Sequence, residues 1–250
     1  MIPSYVPLPD GTRLAYCRSG GRGPGVVFLG GFRSDMTGTK AVALEAWCRA
    51  EGRAFLRLDY SGHGASDGAF AEGTVGRWAA DALAVFDAAT EGPQVLVGSS
   101  MGGWIALLLA LARRERVAGL VGIAAAPDFT EDLMWGRFTE GQRRTLMEAG
   151  ALHVPSAYSA EPTPLTRRLI EEGRDHLLLR GPIDLPVPVR LLHGMADPDV
   201  PWETSLRLAG ALTGGDVRLT LVKDGDHRLS RPADIALIGR IVGELLESLG

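Results

Sequence analysis

Five times along this 250-residue chain a short apolar or β-branched run leads into a longer segment with helical spacing. The pairs are 26–29 with 39–50, 54–60 with 75–89, 94–97 with 101–113, 187–192 with 201–212, and 217–222 with 233–249. A further run, 117–124, has no such helix directly after it. Near-continuous apolar strands belong in a sheet covered on both faces, and parallel strands need a crossover that a helix supplies. The rhythm therefore predicts a single α/β domain over 1–250 with a mostly parallel central sheet flanked by helices and right-handed crossovers. From about 127 to 182 the rhythm breaks. Residues 139–149 and 164–172 read there as amphipathic helices, so a helical lid is expected before the last two strands. At the other end, 5–18 alternates around Asp10-Gly11, a hairpin signal that predicts an antiparallel pair at one sheet edge.

The bulk numbers exclude several function classes. A net charge of −4 offers no basic stripe for nucleic acid or an anionic membrane surface. Two cysteines, Cys17 and Cys48, are too few for a disulfide framework and have no metal-ligand spacing. The apolar run 104–112 is about half of a membrane span. The first residues lack a basic n-region and an apolar h-region, so no signal peptide is expected and a cytoplasmic location is. Lys40 and Lys223 are the only lysines beside many arginines, the bias of a GC-rich bacterial genome.

Two pentapeptides fit G-x-S-x-G, the pattern of a serine on a tight strand-to-helix turn. In Gly98-Ser99-Ser100-Met101-Gly102 the strand 94–97 comes directly before and a strong helix directly after. In Gly64-Ala65-Ser66-Asp67-Gly68 the preceding strand ends several residues earlier, and Ala69-Phe70-Ala71-Glu72-Gly73 is no helix start. Ser100 is therefore the candidate nucleophile, and Ser66 reads as a loop residue.

A serine hydroxyl needs a base to take its proton, and a carboxylate to orient that base. On parallel sheets with such an elbow the order is Ser, then acid, then His. Of the five histidines, His63 precedes the nucleophile, His153 and His176 fall in the expected lid, and His193 ends a strand. His227 alone has both the order and a loop after the last strand. Asp197 and Asp199 compete as the acid in the loop after 187–192. Asp197, three residues past Gly194, is preferred. Asp199 is expected to cap or brace the helix near Trp202. The two oxyanion donors should be the backbone N–H groups of Met101 and of Phe32, which follows Gly30-Gly31. In the lid, Leu133, Met134, Trp135 and Phe138 are candidates to line an acyl pocket.

Further stretches carry a resemblance. They are Met36-Thr37-Gly38-Thr39-Lys40-Ala41, Leu58-Asp59-Tyr60-Ser61-Gly62, Gly98-Ser99-Ser100-Met101-Gly102-Gly103-Trp104, Arg190-Leu191-Leu192-His193-Gly194-Met195, Val200-Pro201-Trp202 and Asp226-His227-Arg228. The chain resembles the α/β-hydrolase family, in the branch of mitochondrial palmitoyl-protein thioesterases and acyl-glucuronide esterases. The resemblance implies the α/β-hydrolase fold and a serine hydrolase that cleaves acyl thioesters or carboxylic esters through an acyl-enzyme on Ser100. It implies a small ester or acylated-thiol substrate and no metal or organic cofactor. Many members carry His-Gly where this chain has Gly30-Gly31, which removes a familiar anchoring side chain. Serine at the elbow argues against haloalkane dehalogenases and epoxide hydrolases, which carry aspartate there. A general small-ester carboxylesterase and a non-catalytic receptor on the same fold are the rival readings.

Overall fold

The computed structural model describes residues 2–155 and 162–249. Its first two strands, β1 (Ser4–Pro7) and β2 (Arg13–Ser19), form the expected antiparallel hairpin. The turn is held by Asp10, whose carboxylate accepts the Thr12 N–H at 2.9 Å. Strand–helix alternation follows: β3 (Arg22–Leu29), α1 (Thr39–Ala50), β4 (Arg53–Leu58), α2 (Val75–Ala89), β5 (Gln94–Ser99), α3 (Met101–Ala112) and β6 (Val117–Ile123). Next come α4 (Glu140–Ala149), β7 (Ala151–Val154), β8 (Thr163–Thr166) and α5 (Arg167–Gly173). The chain closes with β9 (Val189–Gly194), α6 (Glu203–Ala211), β10 (Val217–Val222) and α7 (Pro232–Ser248).

Eight strands form one sheet in the order β1-β2-β4-β3-β5-β6-β9-β10. Only the pairings of β2 with β1 and β4 are antiparallel. Side chains alternate between the sheet faces, so each strand feeds two cores. Val27, Leu29 and Leu96 face α2, α3 and α6, whereas Val26, Phe28, Val95 and Val97 face α1 and α7. α3 lies at the centre and is buried from Met101 to Leu107, which is why its sequence is apolar all round.

The insertion between β6 and β9 departs from the helical lid expected from the sequence. β7 and β8 form a two-stranded antiparallel sheet, and the expected helix over 164–172 begins only at Arg167. Pro164 has no N–H and biases its predecessor towards extended backbone, so a strand suits this position better than a helix. Thr166 then caps α5 by accepting the Leu169 N–H at 3.1 Å. Residues 156–161 of the expected lid lie outside the described residues. Side-chain bonds hold the two ends of the lid together and tie it to the body. The buried Asp128 carboxylate accepts the Leu178 and Leu179 N–H groups at 2.7 and 2.9 Å. Glu172 of α5 accepts the Gly76 N–H in the first turn of α2 at 2.9 Å, where the helix dipole favours a carboxylate.

Candidate active site

Ser100 stands between β5 and α3 with φ 55° and ψ −120°. That conformation is strained for any residue with a Cβ. Its surroundings dictate it. A Cβ on Gly98 would lie 2.3 Å from Gly102 O, and one on Gly102 would lie 2.0 Å from Leu29 O. The helix therefore turns out of the strand at a closeness only glycine permits. Backbone bonds fix the turn from the neighbouring strand: Ser100 N–H donates to Ile123 O at 2.9 Å, and Ala126 N–H donates to Ser100 O at 3.1 Å.

Ser100 Oγ lies 3.0 Å from His227 Nε2, and His227 Nδ1 lies 2.7 Å from Asp197 Oδ2. A carboxylate can only accept, so Nδ1 carries the proton and Nε2 is free to accept the serine hydroxyl. The loop after β9, which carries Asp197, and the loop after β10, which carries His227, are tied by their backbones. Met195 N–H donates to Val222 O at 2.8 Å, and Ala196 N–H donates to Gly225 O at 2.9 Å. Around His227, Asp226 accepts the Leu229 N–H at 2.9 Å, and Lys40 Nζ donates to Arg228 O. Burial, assisted by the Arg228 charge, pushes the Lys40 pKa down to about 8.

The Asp197 side chain is wholly buried and receives four N–H donors. His227 and His193 reach Oδ2, and the Asp199 and Val200 N–H groups reach Oδ1 at 2.8 and 2.9 Å. Burial alone would raise its pKa. The hydrogen bonds from His193, His227 and Val200 outweigh burial and hold the carboxyl well below the usual carboxylate range. His193 went unnoticed in the sequence except as a rejected base. Its Nε2 faces two acceptors, Asp197 Oδ2 at 3.2 Å and Val200 O at 3.1 Å. Nε2 is thus the protonated nitrogen, and Nδ1 accepts from Ser205 Oγ at 2.7 Å. The signal for it lay in the His193-Gly194-x-x-Asp197 spacing. Asp199 does not cap α6, whose N-cap position is Trp202 without a side-chain cap. Asp197, Asp199 and His227 place three ligand-type atoms within 4.8 Å of one another. Both Asp197 oxygens are already engaged by N–H donors, so the cluster is built as a hydrogen-bond relay.

Phe32 sits on the loop after β3, and Met101 is the first residue of α3. Neither amide N–H has a protein acceptor among the described residues. Gly31 brings the Phe32 loop against the elbow, since a Cβ there would stand 3.3 Å from Ser100 Cβ. A cleft of roughly 870 Å³ opens over Ser100 and His227. Leu133 and Met134 line it, joined by Phe129, which the sequence did not single out. Trp135 and Phe138 are not among its lining residues. Trp135 is instead held between the guanidinium groups of Arg143 and Arg174, each 5.1 Å from its ring centre. The π-helical turn over Thr130–Met134 followed by a tighter turn at Trp135–Arg137 rotates these side chains apart.

The family model described as serine aminopeptidase, S33, matches residues 25–168. The chain belongs to this α/β-hydrolase family. The hydrolase is 45% identical to the mitochondrial palmitoyl-protein thioesterase ABHD10 of Mus musculus, over 98% of this chain and 83% of that one. It superposes on the mouse α/β hydrolase domain-containing protein 10 with a TM-score of 0.93 at 41% identity, covering 100% of both chains. A protein from Agrobacterium vitis S4 matches equally well, with a TM-score of 0.93, 44% identity and 98% coverage of both chains. No helix among the described residues is long and apolar enough to cross a membrane.

Proposed function

We propose that this hydrolase cleaves acyl thioesters or activated carboxylic esters through an acyl-enzyme on Ser100. One observation carries the reading. A serine hydroxyl on a strained elbow meets His227 at 3.0 Å, and His227 meets a buried, fully satisfied Asp197 at 2.7 Å. Ser100 Oγ attacks the acyl carbonyl carbon while its proton passes to His227 Nε2. The carbonyl π pair moves onto oxygen, where the Phe32 and Met101 N–H groups receive the negative charge. Collapse expels the thiolate or alkoxide, which takes the proton from His227. Water then repeats the sequence on the acyl-enzyme, releasing the acid and restoring Ser100. Asp197 stays ionised throughout, holds the imidazole tautomer and balances the imidazolium charge.

The substrate class rests on two supports. The relatives that match over most of the chain are named palmitoyl-protein thioesterases. A thiolate also leaves easily, because a free thiol has a pKa of about 8.5, whereas an amine leaves only with strong acid assistance. Phe129, Leu133 and Met134 give the cleft an apolar wall for an acyl chain. The test is labelling with a fluorophosphonate, followed by kcat/KM for matched thioester, aryl ester and anilide substrates. Labelling of wild type and not of Ser100→Ala is expected, with the anilide slowest. An unlabelled wild type would support the receptor reading, and an anilide that outpaces both others would replace the reaction class.

A further inference from the structure

The loop that presents Phe32 begins with Gly30-Gly31, which has no side chain to anchor it. Its anchors come from the end of β4 and the turn beyond. Tyr60 Oη donates to Gly30 O at 3.2 Å. Arg33 N–H donates to His63 Nε2 at 3.3 Å. Asp59 Oδ1 accepts the Met36 N–H at 2.6 Å, and Arg57 Nη1 donates to Met36 O at 2.6 Å. The Tyr60 and His63 bonds have a particular placement. Tyr60 holds the Gly30–Gly31 peptide by its carbonyl, and His63 holds the Phe32–Arg33 peptide by its N–H. Between them lies the Gly31–Phe32 peptide, whose N–H is the candidate oxyanion donor. The carbonyl of that same peptide accepts the Ser34 N–H at 3.1 Å.

We propose that Tyr60 and His63 are positioning residues that aim the Phe32 N–H at the oxyanion. His63 is built for the task. A peptide N–H only donates, so Nε2 must accept, and Nδ1 then donates to Ser61 O at 3.2 Å. The ring is buried edge-on against Tyr60, Phe70 and Trp78, with centroids 5.6, 5.2 and 5.2 Å away. Burial pushes its pKa down to about 4, so the accepting nitrogen stays unprotonated near neutrality. The Phe32 ring enters the same aromatic cluster, 5.0 Å from Phe70 and 5.8 Å from Trp78. Side chain and backbone of the donor residue are thus gripped by one set of groups.

The inference rests on the acyl-enzyme reading, and the experiment separates the two. Hydrolysis of 4-nitrophenyl butyrate is compared for wild type, Ser100→Ala, Tyr60→Phe, His63→Phe and His63→Gln, with butylboronic acid as an inhibitor whose adduct places an oxygen in the oxyanion site. His63→Phe keeps an aromatic ring and removes the acceptor. It is expected to lower kcat roughly tenfold or more with KM changed by less than about threefold, because a donor misaimed by a fraction of an ångström loses transition-state binding. His63→Gln returns an acceptor for the Arg33 N–H and is expected to recover most of kcat. Tyr60→Phe should fall in the same direction by a smaller factor. Butylboronic acid affinity should drop in step with kcat/KM across the set. A wild-type kcat in His63→Phe, or a loss that His63→Gln does not restore with boronate affinity unchanged, would assign these residues to packing alone. If His63→Phe fails to fold, Tyr60→Phe decides: an unchanged kcat overturns the inference. Full activity in Ser100→Ala would overturn the acyl-enzyme reading itself, and this inference with it.

Discussion

The pentapeptides at 64–68 and 98–102 share one pattern and have opposite fates. In the first, Ser66 Oγ donates to Asp59 O at 2.7 Å and accepts the Ala15 N–H at 2.8 Å. Its hydroxyl is consumed in bracing the end of β4 against β2. Beside it, Asp67 makes a forked bond to Arg13, with Nε and Nη2 at 2.9 and 3.0 Å. In the second, Ser100 is forced to φ 55° at a strand-to-helix turn, and its hydroxyl meets the His227 imidazole, which can take the proton. What separates the two serines is what each hydroxyl is bonded to. Ser66 is satisfied by backbone, while Ser100 is strained and left to a base.

This contrast can be broken at several points. The largest effect is expected from Ser100→Ala, which should lower kcat for an activated ester on the order of 10⁵- to 10⁶-fold with folding intact. Ser66→Ala should leave kcat within about threefold and cost roughly 1–3 kcal/mol of stability in a urea melt, by orphaning the Ala15 N–H. Loss of activity in the Ser66 variant alone would move the site to the other loop. Next, Asp197→Asn should lower kcat by about 10⁴-fold, since an amide no longer fixes the His227 tautomer. Asp199→Asn should cost less than about tenfold, because His227 Nδ1 donates to Asp197. The reverse ranking would reassign the acid.

The remaining effects concern stability and selectivity. His63 directly precedes the Ser66 pentapeptide and is 4% exposed. Burial lowers its pKa from 6.5 to about 4, with Arg33 pushing the same way and the Ser61 carbonyl and Asp35 opposing. Between those values the unfolded chain binds more protons than the folded one, so unfolding free energy falls as pH drops from 6.5 towards 4. The upper limit for one such group is about 3 kcal/mol, and His63→Phe should flatten that part of the pH–stability curve. Unchanged acid sensitivity in that variant would place the cause elsewhere. Ser100→Gly should raise stability by about 1 kcal/mol by relieving the turn while abolishing activity, whereas Ser66→Gly should lower it. Equal shifts of the same sign would show that the two turns are not differently strained. Smallest of all, Phe129→Ala should change the acyl chain-length profile severalfold and Trp135→Ala should leave it flat. The opposite outcome would put Trp135 on the cleft wall.

The sequence by itself determined the repeating strand–helix order, the sheet-edge hairpin, the strand-to-helix turn at Ser100, and that Asp197 and His227 are the candidates whose side chains meet it. These are local properties: apolar periodicity, glycines forced by a close turn, and chain order along strands that run in parallel. Tertiary structure alone decided the rest. β8 replaces a helix turn because β7 is there to pair with it. Trp135 turns to two arginines because a π-helical turn shifts the lid side chains off the regular 3.6-residue spacing. His193 lies one loop away in sequence, yet its role appears only when Val200 O and Ser205 Oγ close around it. Tyr60 and His63 grip a loop some thirty residues earlier. No spacing rule reports such contacts, because a hydrogen bond between distant segments exists only after the sheet has set β3 beside β4.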